Sequence, residues 1–194
     1  VAVERVVSVA YCERLRVHAT AKALRLSNCL DTTVHACVNS PPLVWGDNHR
    51  LSLAPFCATW PHLAEHMRNA AVSGSLEQNC WGRPAEVHTD KAESAYTLLP
   101  PAKYLPFAVP IDAAAVDGCG GGALAAAAPL ELPREYAEAL HAHAERLARY
   151  QAELAALSCS AETRREVHTV LAACFKDWLT RTGNMRQVHD LVGQ

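Results

Sequence analysis

The sequence predicts a mainly β protein, a parallel β-helix followed by an α-helical hairpin. Two observations predict the β-helix: a short apolar–polar–apolar unit recurs along the first part of the chain, and its spacing is even. The clear copies are Val7-Ser8-Val9, Leu15-Arg16-Val17, Leu24-Arg25-Leu26 and Leu51-Ser52-Leu53, with weaker copies at Thr33-Val34 and Leu43-Val44. Successive copies begin eight to ten residues apart. Two strands per coil then give about 18 to 20 residues in each coil, as in known solenoids.

We assign residues 1–60 to the C-terminal coils of this β-helix. Turn-forming residues, among them Asn28, Asp31 and Asn39, separate short strands that are rich in Val and Leu. About three coils fit into this length. The repeat is already under way at Val1, so we expect further coils before it.

Residues 61–111 are predicted to pack on the β-helix as a short helix and two extended segments. The sequence after Pro61, HLAEHMRNAAVSG, places Leu63 and Met67 at helical spacing. Residues 75–93 are polar and irregular, with Trp81 expected to hold this loop against the core. Residues 96–99 and 104–109 are apolar runs separated by prolines, a pattern that predicts extended segments along the side of the β-helix.

Residues 112–129 and 130–194 are predicted to be a linker and a helical hairpin. The first range reads DAAAVDGCGGGALAAAAP, a low-complexity composition typical of flexible linkers. In the second range we expect one helix over 130–157, with Pro133 in its first turn, and another that begins after the N-cap Ser160 and ends at Gly183. The predicted buried faces comprise Tyr136, Leu140, Leu147, Tyr150, Leu154 and Leu157 on one helix and Val167, Val170, Leu171, Cys174, Phe175 and Trp178 on the other. A short terminal turn follows from Asn184.

Charge and hydropathy exclude two function classes. The net charge is -2, with 18 basic and 20 acidic residues, and a nucleic-acid-binding protein should instead carry a basic excess. No run of apolar residues reaches the roughly 18 that a membrane helix requires. We therefore expect neither nucleic-acid binding nor membrane insertion.

The eight cysteines favour free thiols over a metal site or a disulfide framework. They contain no C-x-x-C pair and are irregularly spaced, unlike structural zinc ligands. Cys12, Cys29 and Cys37 lie on the repeat, where a buried thiol behaves as a small apolar side chain. We interpret this as a protein of a reducing, intracellular compartment, with disulfides as the alternative.

Motifs of common active sites are weak or absent. His62, Glu65 and His66 match H-x-x-E-H, a zinc-hydrolase pattern, but no long supporting helix or third ligand is evident. His141 and His143 are two residues apart and do not share a helix face. The glycines at 118–122 follow no strand and lack the Lys-Ser/Thr pair of a phosphate-binding loop. We expect no cofactor and no bound metal.

Three arginines on the repeat are the candidate partner-binding residues: Arg14, Arg16 and Arg25. We place them on strands half a coil apart, with Arg16 and Arg25 at the centres of their units. Strand alternation then points both side chains outward when the flanking residues point inward. A guanidinium on a rigid strand can act as an arginine finger that stabilises the charge on a transferred phosphate. The alternative is an ordinary solvated face.

Residues 14–67 resemble the C-CAP/TBCC domain family of tubulin-binding cofactor C. The segments that carry the resemblance are LRLSNCLDTTVHAC, SPPLVWGDN, LSLAPF and WPHLAEHM. Further segments, YTLLPPAKYLPFAVPI, FKDWLTRTG and VHDLV, are similar to the branch of the family that positions the centrosome and the basal body. The resemblance implies a right-handed parallel β-helix, and it covers nearly the whole chain except the Ala- and Gly-rich insertion.

The resemblance also identifies where a catalytic arginine would lie. GTPase-activating members of the family carry a finger arginine with a glutamine two residues before it. The matching arginine here is Arg25, whereas the glutamine position is Ala23. Arg16 offers a second L-R-V-H match, preceded by Arg14 in place of glutamine. The degenerate motif predicts a protein without GTPase-activating activity.

The resemblance therefore implies a non-catalytic scaffold of the cytoplasm and cytoskeleton, located at the centrosome, spindle pole or basal body. Its role would be organelle positioning, the Golgi included, and microtubule-linked cell organisation. Its partners would be centrosomal or basal-body proteins, with tubulin or a small GTPase as further possibilities. The alternative is a GTPase-activating protein for tubulin or an Arf-like GTPase that uses Arg25.

Overall fold

Every strand pairing in the described part of the chain is parallel and joins successive coils, which confirms the parallel β-helix. A computed structural model describes residues 2–87, 94–109, 129–156 and 160–181. The strands are β1 (Ala2–Ala10), β2 (Arg16–Ser27), β3 (Thr33–Val38), β4 (Leu43–Trp45), β5 (Ser52–Pro55), β6 (Ala58–Thr59), β7 (Ala85–Val87), β8 (Thr97–Leu98) and β9 (Phe107–Ala108). The helices are α1 (Leu63–Asn69), a 3-10 turn (Pro101–Lys103), α2 (Arg134–Ala156) and α3 (Ala161–Arg181).

The length of a coil follows from the strand register. Arg16 lies opposite Thr33, an offset of 17 residues. The offset grows to 18 where Arg25 faces Leu43 and to 19 where Thr33 faces Ser52. These values lie within one residue of the predicted coil length. The added residues fall in the turns at 39–42 and 46–48, so the strands keep their alternation.

One long strand replaces two of the short strands that the sequence predicts. The units at 15–17 and 24–26 both lie in or beside β2, which runs unbroken from Arg16 to Ser27. Its first half pairs with β3 and its second half with β4. A single strand thus contributes to two faces of the β-helix.

Each described coil has a corner at the same place, and two residues of this corner have left-handed backbone conformation. Tyr11, Asn28 and Gly46 have φ values of 55°, 52° and 73°, and each follows a strand residue of the register set Ala10, Ser27 and Trp45. The second set is Arg14, Asp31 and Arg50, with φ values of 53°, 50° and 52°. The residue before each member of this second set is Glu13, Leu30 or His49, and isolated parallel β-bridges join these three residues across the coils. Asn and Asp tolerate this conformation best, which explains the turn signal at positions 28 and 31.

The interior of the coils is apolar and closely packed. Leu24, Leu26, Val34 and Leu53 are at most 1% exposed, and each buried side chain of this kind stabilises the fold by about 1.5–3 kcal/mol. Trp81 joins the same core, as the sequence predicts. A second cluster lies on the outer face of β3, where Cys37 packs with Leu63 and Met67 of α1.

The β-helix pairing continues beyond residue 60. β8 pairs with β5 and β9 with β6, and each of these short strands lies within one of the two segments expected to be extended. The expectation that residues 75–93 are irregular is wrong in part, because Ala85–Val87 forms β7 on the edge of β4. An open sheet edge offers backbone hydrogen bonds that a polar segment can use, whatever its intrinsic propensity.

The two C-terminal helices are confirmed, with differences in extent and burial. The first begins at Arg134 rather than at residue 130, because Pro133 disfavours helical backbone at the residue before it. Ser160 Oγ accepts the backbone N–H of Thr163, which is the predicted N-cap. Residues 112–128, Leu157 and 182–194, with the predicted linker, helix end and terminal turn, lie outside the described residues.

The predicted buried faces of these helices are only partly buried. Tyr136 is 1% exposed and Leu140 packs on the core, whereas the apolar side chains further along α2 and on α3 are exposed. These exposed side chains are Leu147, Tyr150, Leu154, Val167, Val170, Leu171, Cys174, Phe175 and Trp178. The chain divides into two compact units, Val1–Arg146 and Leu147–Gln194, and the division falls within α2. The apolar residues at helical spacing on α2 therefore continue from Tyr136 to Leu154, but only those at the start of the helix are buried.

Candidate functional site

Arg25 points outward from the second half of β2. Its neighbours Leu24 and Leu26 are buried in the coil interior, so alternation directs the arginine to solvent, where it is exposed. In register it lies between Ser8 of β1 and Leu43 of β4. The predicted orientation of Arg25 is thus observed, on a strand held by pairing on both sides.

Ala23 shares the outer face with Arg25, two residues before it along the strand. Alanine has no group that can orient a partner's water or phosphate. The position at which the resemblance implies a glutamine therefore faces outward and carries a side chain with no hydrogen-bonding group.

Arg14 and Arg16 are placed differently from the prediction of strands half a coil apart. Arg16 begins β2 and is exposed on the same strand as Arg25, nine residues before it. Arg14 precedes the strand with a left-handed φ of 53°, because it occupies the corner of the coil. The three arginines therefore form no single row.

The corner of Arg14 carries a short ladder of charges. Asp31 and Arg50 occupy the same corner of the next two coils, and Arg50 Nη2 donates to Asp31 Oδ2 at 2.7 Å. The hydrogen bond from Arg50 is the main cause that lowers the pKa of Asp31, and the charge of Arg14 adds to it. Arg14 itself pairs with Glu13 at 3.2 Å. These contacts give the corner residues a structural role in the coil stack.

The H-x-x-E-H segment does not gather a metal site. His62 and Glu65 pair at 3.4 Å on the surface, while His66 Nδ1 accepts the indole N–H of Trp60 at 2.9 Å. His62 precedes α1 with a left-handed φ of 68°. Within the described residues, the one group of three or more metal-ligating side chains is elsewhere: His18, His35 and Cys57.

The strand register brings His18 and His35 together. They face each other across β2 and β3, next to Val17 and Val34, which contribute to the core inside the coil. Alternation directs both histidines to the outer face of this sheet. The chain after β5 then places Cys57 beside them, and Phe107 of β9 packs edge-on to His18, with ring centroids 5.0 Å apart.

The ligand atoms of His18, His35 and Cys57 all lie within 4.8 Å of one another. The two imidazole rings are stacked, with centroids 4.6 Å apart and an angle of 11° between their planes. Cys57 Sγ lies 3.4 Å from His18 Nδ1, within hydrogen-bond distance. His35 Nδ1 lies 3.3 Å from the carbonyl oxygen of Pro55. Because a carbonyl only accepts, His35 Nδ1 carries the proton.

Burial controls the charge of this cluster. His35 and Cys57 are 7% and 5% exposed, and His18 is half-buried. Burial, with the neighbouring His35 and Arg16, lowers the pKa of His18 to about 4, and burial also lowers the pKa of His35. Burial raises the pKa of Cys57 to about 12, against a smaller lowering by Arg16. All three groups are therefore neutral near pH 7.

A neutral thiol beside a neutral imidazole is not a catalytic nucleophile. Reactive cysteines have a lowered pKa and react as the thiolate, commonly paired with a protonated histidine. Burial shifts the pKa of Cys57 in the opposite direction, so this pair lacks the activated thiolate of such enzymes. Neutral imidazole, and a thiol that releases its proton to solvent when a metal ion binds, are, in contrast, donors that zinc and copper prefer.

Our sequence reasoning missed these three residues. The signal for two of them was present, because His18 and His35 are separated by 17 residues, one coil of the repeat. Aligning the sequence coil by coil would have placed one histidine on the other. Cys57 follows β5 outside the regular register, so only the folded chain reveals it.

The chain is similar to known proteins of one family. Residues 1–87 match the family model for tubulin binding cofactor C. TBCC domain-containing protein 1 from Mus musculus is 28% identical over 182 residues, which cover 93% of this chain and 31% of the relative. The protein of the same name from Gallus gallus is 27% identical over 191 residues, 98% of this chain and 33% of the relative. The Danio rerio protein is 24% identical over 189 residues, 96% and 31% respectively.

These matches confirm the resemblance that the sequence motifs indicate. They extend across the β-helix and the C-terminal helices, since they cover more than nine-tenths of the chain. The chain spans about a third of the length of these curated relatives. Within the described helices, none is long and apolar enough to cross a membrane.

Proposed function

We propose, because residues 1–87 match the family model for tubulin binding cofactor C, that the chain belongs to this family and is part of a non-catalytic scaffold protein of the centrosome, spindle pole or basal body. The scaffold positions these organelles and the Golgi and acts in the cytoplasm, on the microtubule cytoskeleton. The observation that supports a non-catalytic role is that Ala23, and no hydrogen-bonding residue, lies beside Arg25 on the same face of the strand. The exposed arginine keeps its place on a rigid strand, while its neighbour on the same face has no functional group.

Two exposed surfaces support a binding role. The outer side of β2 presents Arg16 on its first half and Arg25 on its second half, both exposed to solvent. Guanidinium groups are common in protein interfaces because they bind carboxylates with two hydrogen bonds. On α3, the rings of Phe175 and Trp178 are stacked at 5.9 Å and are 57% and 49% exposed. Centrosomal or basal-body proteins are the proposed partners, with tubulin as a further one.

A localisation and crosslinking experiment tests the scaffold role. We expect the tagged protein at centrosomes or basal bodies, crosslinked to resident proteins, and we expect mispositioned organelles on its loss. An Arg16→Glu, Arg25→Glu double variant should lose crosslinks that form beside these two arginines on β2. The double variant Arg146→Glu, Arg149→Glu, at two exposed arginines on α2, is the charge-matched control. A uniform cytosolic distribution with unchanged organelle positions would refute the proposal.

The second candidate function is activation of a GTPase, tubulin or an Arf-like protein. It is favoured by the exposure of Arg25 between two paired strands, a rigid support of the kind that an arginine finger needs. Partners of this class would bind against the second half of β2, where Arg25 lies.

A single-turnover GTPase assay with tubulin and cofactors D and E separates the two functions. For a scaffold we expect no stimulation by the wild-type chain at saturating concentration. The Ala23→Gln variant restores the missing side chain beside Arg25, and any stimulation that it gains should disappear in Ala23→Gln, Arg25→Ala. Wild-type stimulation that Arg25→Ala removes would establish the activating function instead.

A further inference from the structure

We propose that His18, His35 and Cys57 form a zinc-binding site on the outer face of the β-helix. The three residues come from separate places in the chain, and β2, β3 and the turn after β5 bring their donor atoms within 4.8 Å. Two imidazoles and a thiolate are a donor set that zinc accepts readily. Neither the H-x-x-E-H segment nor the proposed scaffold role involves these residues.

The donor spacing fits tetrahedral zinc. Zinc binds sulfur at about 2.3 Å and nitrogen at about 2.0–2.1 Å, so a tetrahedral S···N edge is about 3.5 Å long. The observed separation of Cys57 Sγ and His18 Nδ1 is 3.4 Å. The separation of these two donor atoms is thus close to the length of one tetrahedral edge before any movement.

His35 already has the support that zinc-binding histidines usually require. Such histidines donate the N–H of the second ring nitrogen to a carbonyl or carboxylate, which fixes the tautomer and the ring orientation. His35 Nδ1 donates to the Pro55 carbonyl oxygen at 3.3 Å, so Nε2 has the free lone pair. The partner oxygen lies in β5, the strand that pairs with β3.

Binding requires one proton transfer and one small movement. The Sγ–H bond of Cys57 breaks, its proton passes to solvent, and the electron pair of the thiolate forms the Zn–S bond, while both imidazoles bind in the neutral form. A metal lies in the plane of each imidazole that binds it, so the stack of His18 on His35 must open. His18 is the half-buried partner and is the ring that we expect to turn. Water completes the fourth position of a three-ligand zinc site.

Zinc titration of the full 194-residue chain tests the site. The chain is first stripped with a chelator and then titrated with Zn²⁺ in competition with a chromophoric chelator. We expect one equivalent of zinc, and we expect Cys57→Ser and His35→Asn to weaken binding at least about tenfold. Cys37→Ser is the matched control, because Cys37 is also a buried thiol on this sheet whose pKa burial raises to about 12. His62→Ala controls for the H-x-x-E-H segment.

Cobalt spectra provide a readout that is independent of folding stability. Co²⁺ bound to the site should give a thiolate-to-metal charge-transfer band in wild type and in Cys37→Ser, and none in Cys57→Ser. His18→Asn, at the half-buried edge, is a second ligand variant in case Cys57→Ser does not fold, which circular dichroism reports. Absence of the band in wild type, no stoichiometric zinc, or equal losses in Cys57→Ser and Cys37→Ser would each overturn the proposal.

Discussion

Tyr136, in the first turn of α2, packs edge-on against Tyr104, with ring centroids 5.3 Å apart and planes at 81°. Each hydroxyl donates to a backbone carbonyl of the β-helix region, Tyr136 to Leu99 at 2.6 Å and Tyr104 to Phe56 at 2.8 Å. Trp81 also packs edge-on with Tyr136, with ring centroids 5.6 Å apart. The start of α2 is therefore held by one buried aromatic side chain with a satisfied hydroxyl.

Truncation of Tyr136 should be strongly destabilising. Tyr136→Ala removes a ring that is 1% exposed and should lower the free energy of unfolding by about 3–5 kcal/mol, as for other large-to-small core changes. Tyr136→Phe removes only the hydrogen bond to Leu99 and should cost about 0.5–1.5 kcal/mol. Urea unfolding measures both, with the exposed Tyr150→Ala as control. Equal losses for Tyr136→Ala and Tyr150→Ala would contradict this assignment.

A second prediction concerns the left-handed corner at Gly46. A Cβ at Gly46 would lie 2.6 Å from Asn28 Oδ1, and the φ of 73° is unfavourable for any L side chain. Gly46→Ala should therefore lower the free energy of unfolding by about 1–2 kcal/mol. Gly82→Ala is the matched control, because a Cβ there meets nothing within 4 Å. Thermal unfolding compares the two, and equal midpoints would show that the corner tolerates a side chain.

A third prediction is the acid dependence of the corner ion pair. Hydrogen bonding to Arg50 lowers the pKa of Asp31 below its usual 3.8. A carboxyl whose pKa is lowered by folding stabilises the fold above its unfolded pKa, and this contribution is lost as the pH falls through the folded pKa. Arg50→Ala should thus lower the melting temperature at pH 7 slightly and have no effect in strong acid. A difference that does not change with pH would contradict the pairing.

A double-mutant cycle assigns this effect to the pair itself. Asp31→Asn removes the charge but keeps a residue that tolerates the left-handed backbone at this corner. If the ion pair carries the effect, Arg50→Ala should change little in the Asp31→Asn background. An unchanged cost there would place the effect of Arg50 in its backbone conformation or in other contacts.

The sequence predicts the coils of the β-helix better than it predicts the positions of the candidate functional residues. Leu24 and Leu26 flank Arg25 in a pattern that fixes both the strand and the outward direction of the arginine, because alternation is a local rule. Arg14 was misplaced because a left-handed corner depends on the stacking of successive coils, which a window of three residues does not contain. Ala85–Val87 was missed for a similar reason: the edge of β4 supplies its hydrogen bonds.

The helices show the same limit at a larger scale. The apolar spacing in α2 correctly predicts a helix, and Tyr136 is buried as expected. Leu147, Tyr150 and Leu154 continue the stripe yet are 52–60% exposed. Periodicity identifies which side chains share a face, whereas their burial depends on what packs against that face. The cluster of His18, His35 and Cys57 is only partly predictable from the sequence. One coil length separates His18 from His35, so their proximity follows from the repeat, whereas Cys57 joins them only in the fold.

The last prediction separates two roles of the charge on Arg16. Zinc binding adds two positive charges to the site and releases one proton, so the site gains a net charge of +1. The charge of Arg16 affects His18, His35 and Cys57, so it should oppose this change. Arg16→Ala should therefore tighten zinc binding, roughly two- to fivefold for an exposed charge. Arg25→Ala, on the same strand but with no charge effect on the three ligands among the causes of their pKa shifts, should leave the Kd unchanged. Weaker zinc binding by Arg16→Ala would mean that Arg16 instead supports the cluster through packing or hydrogen bonds.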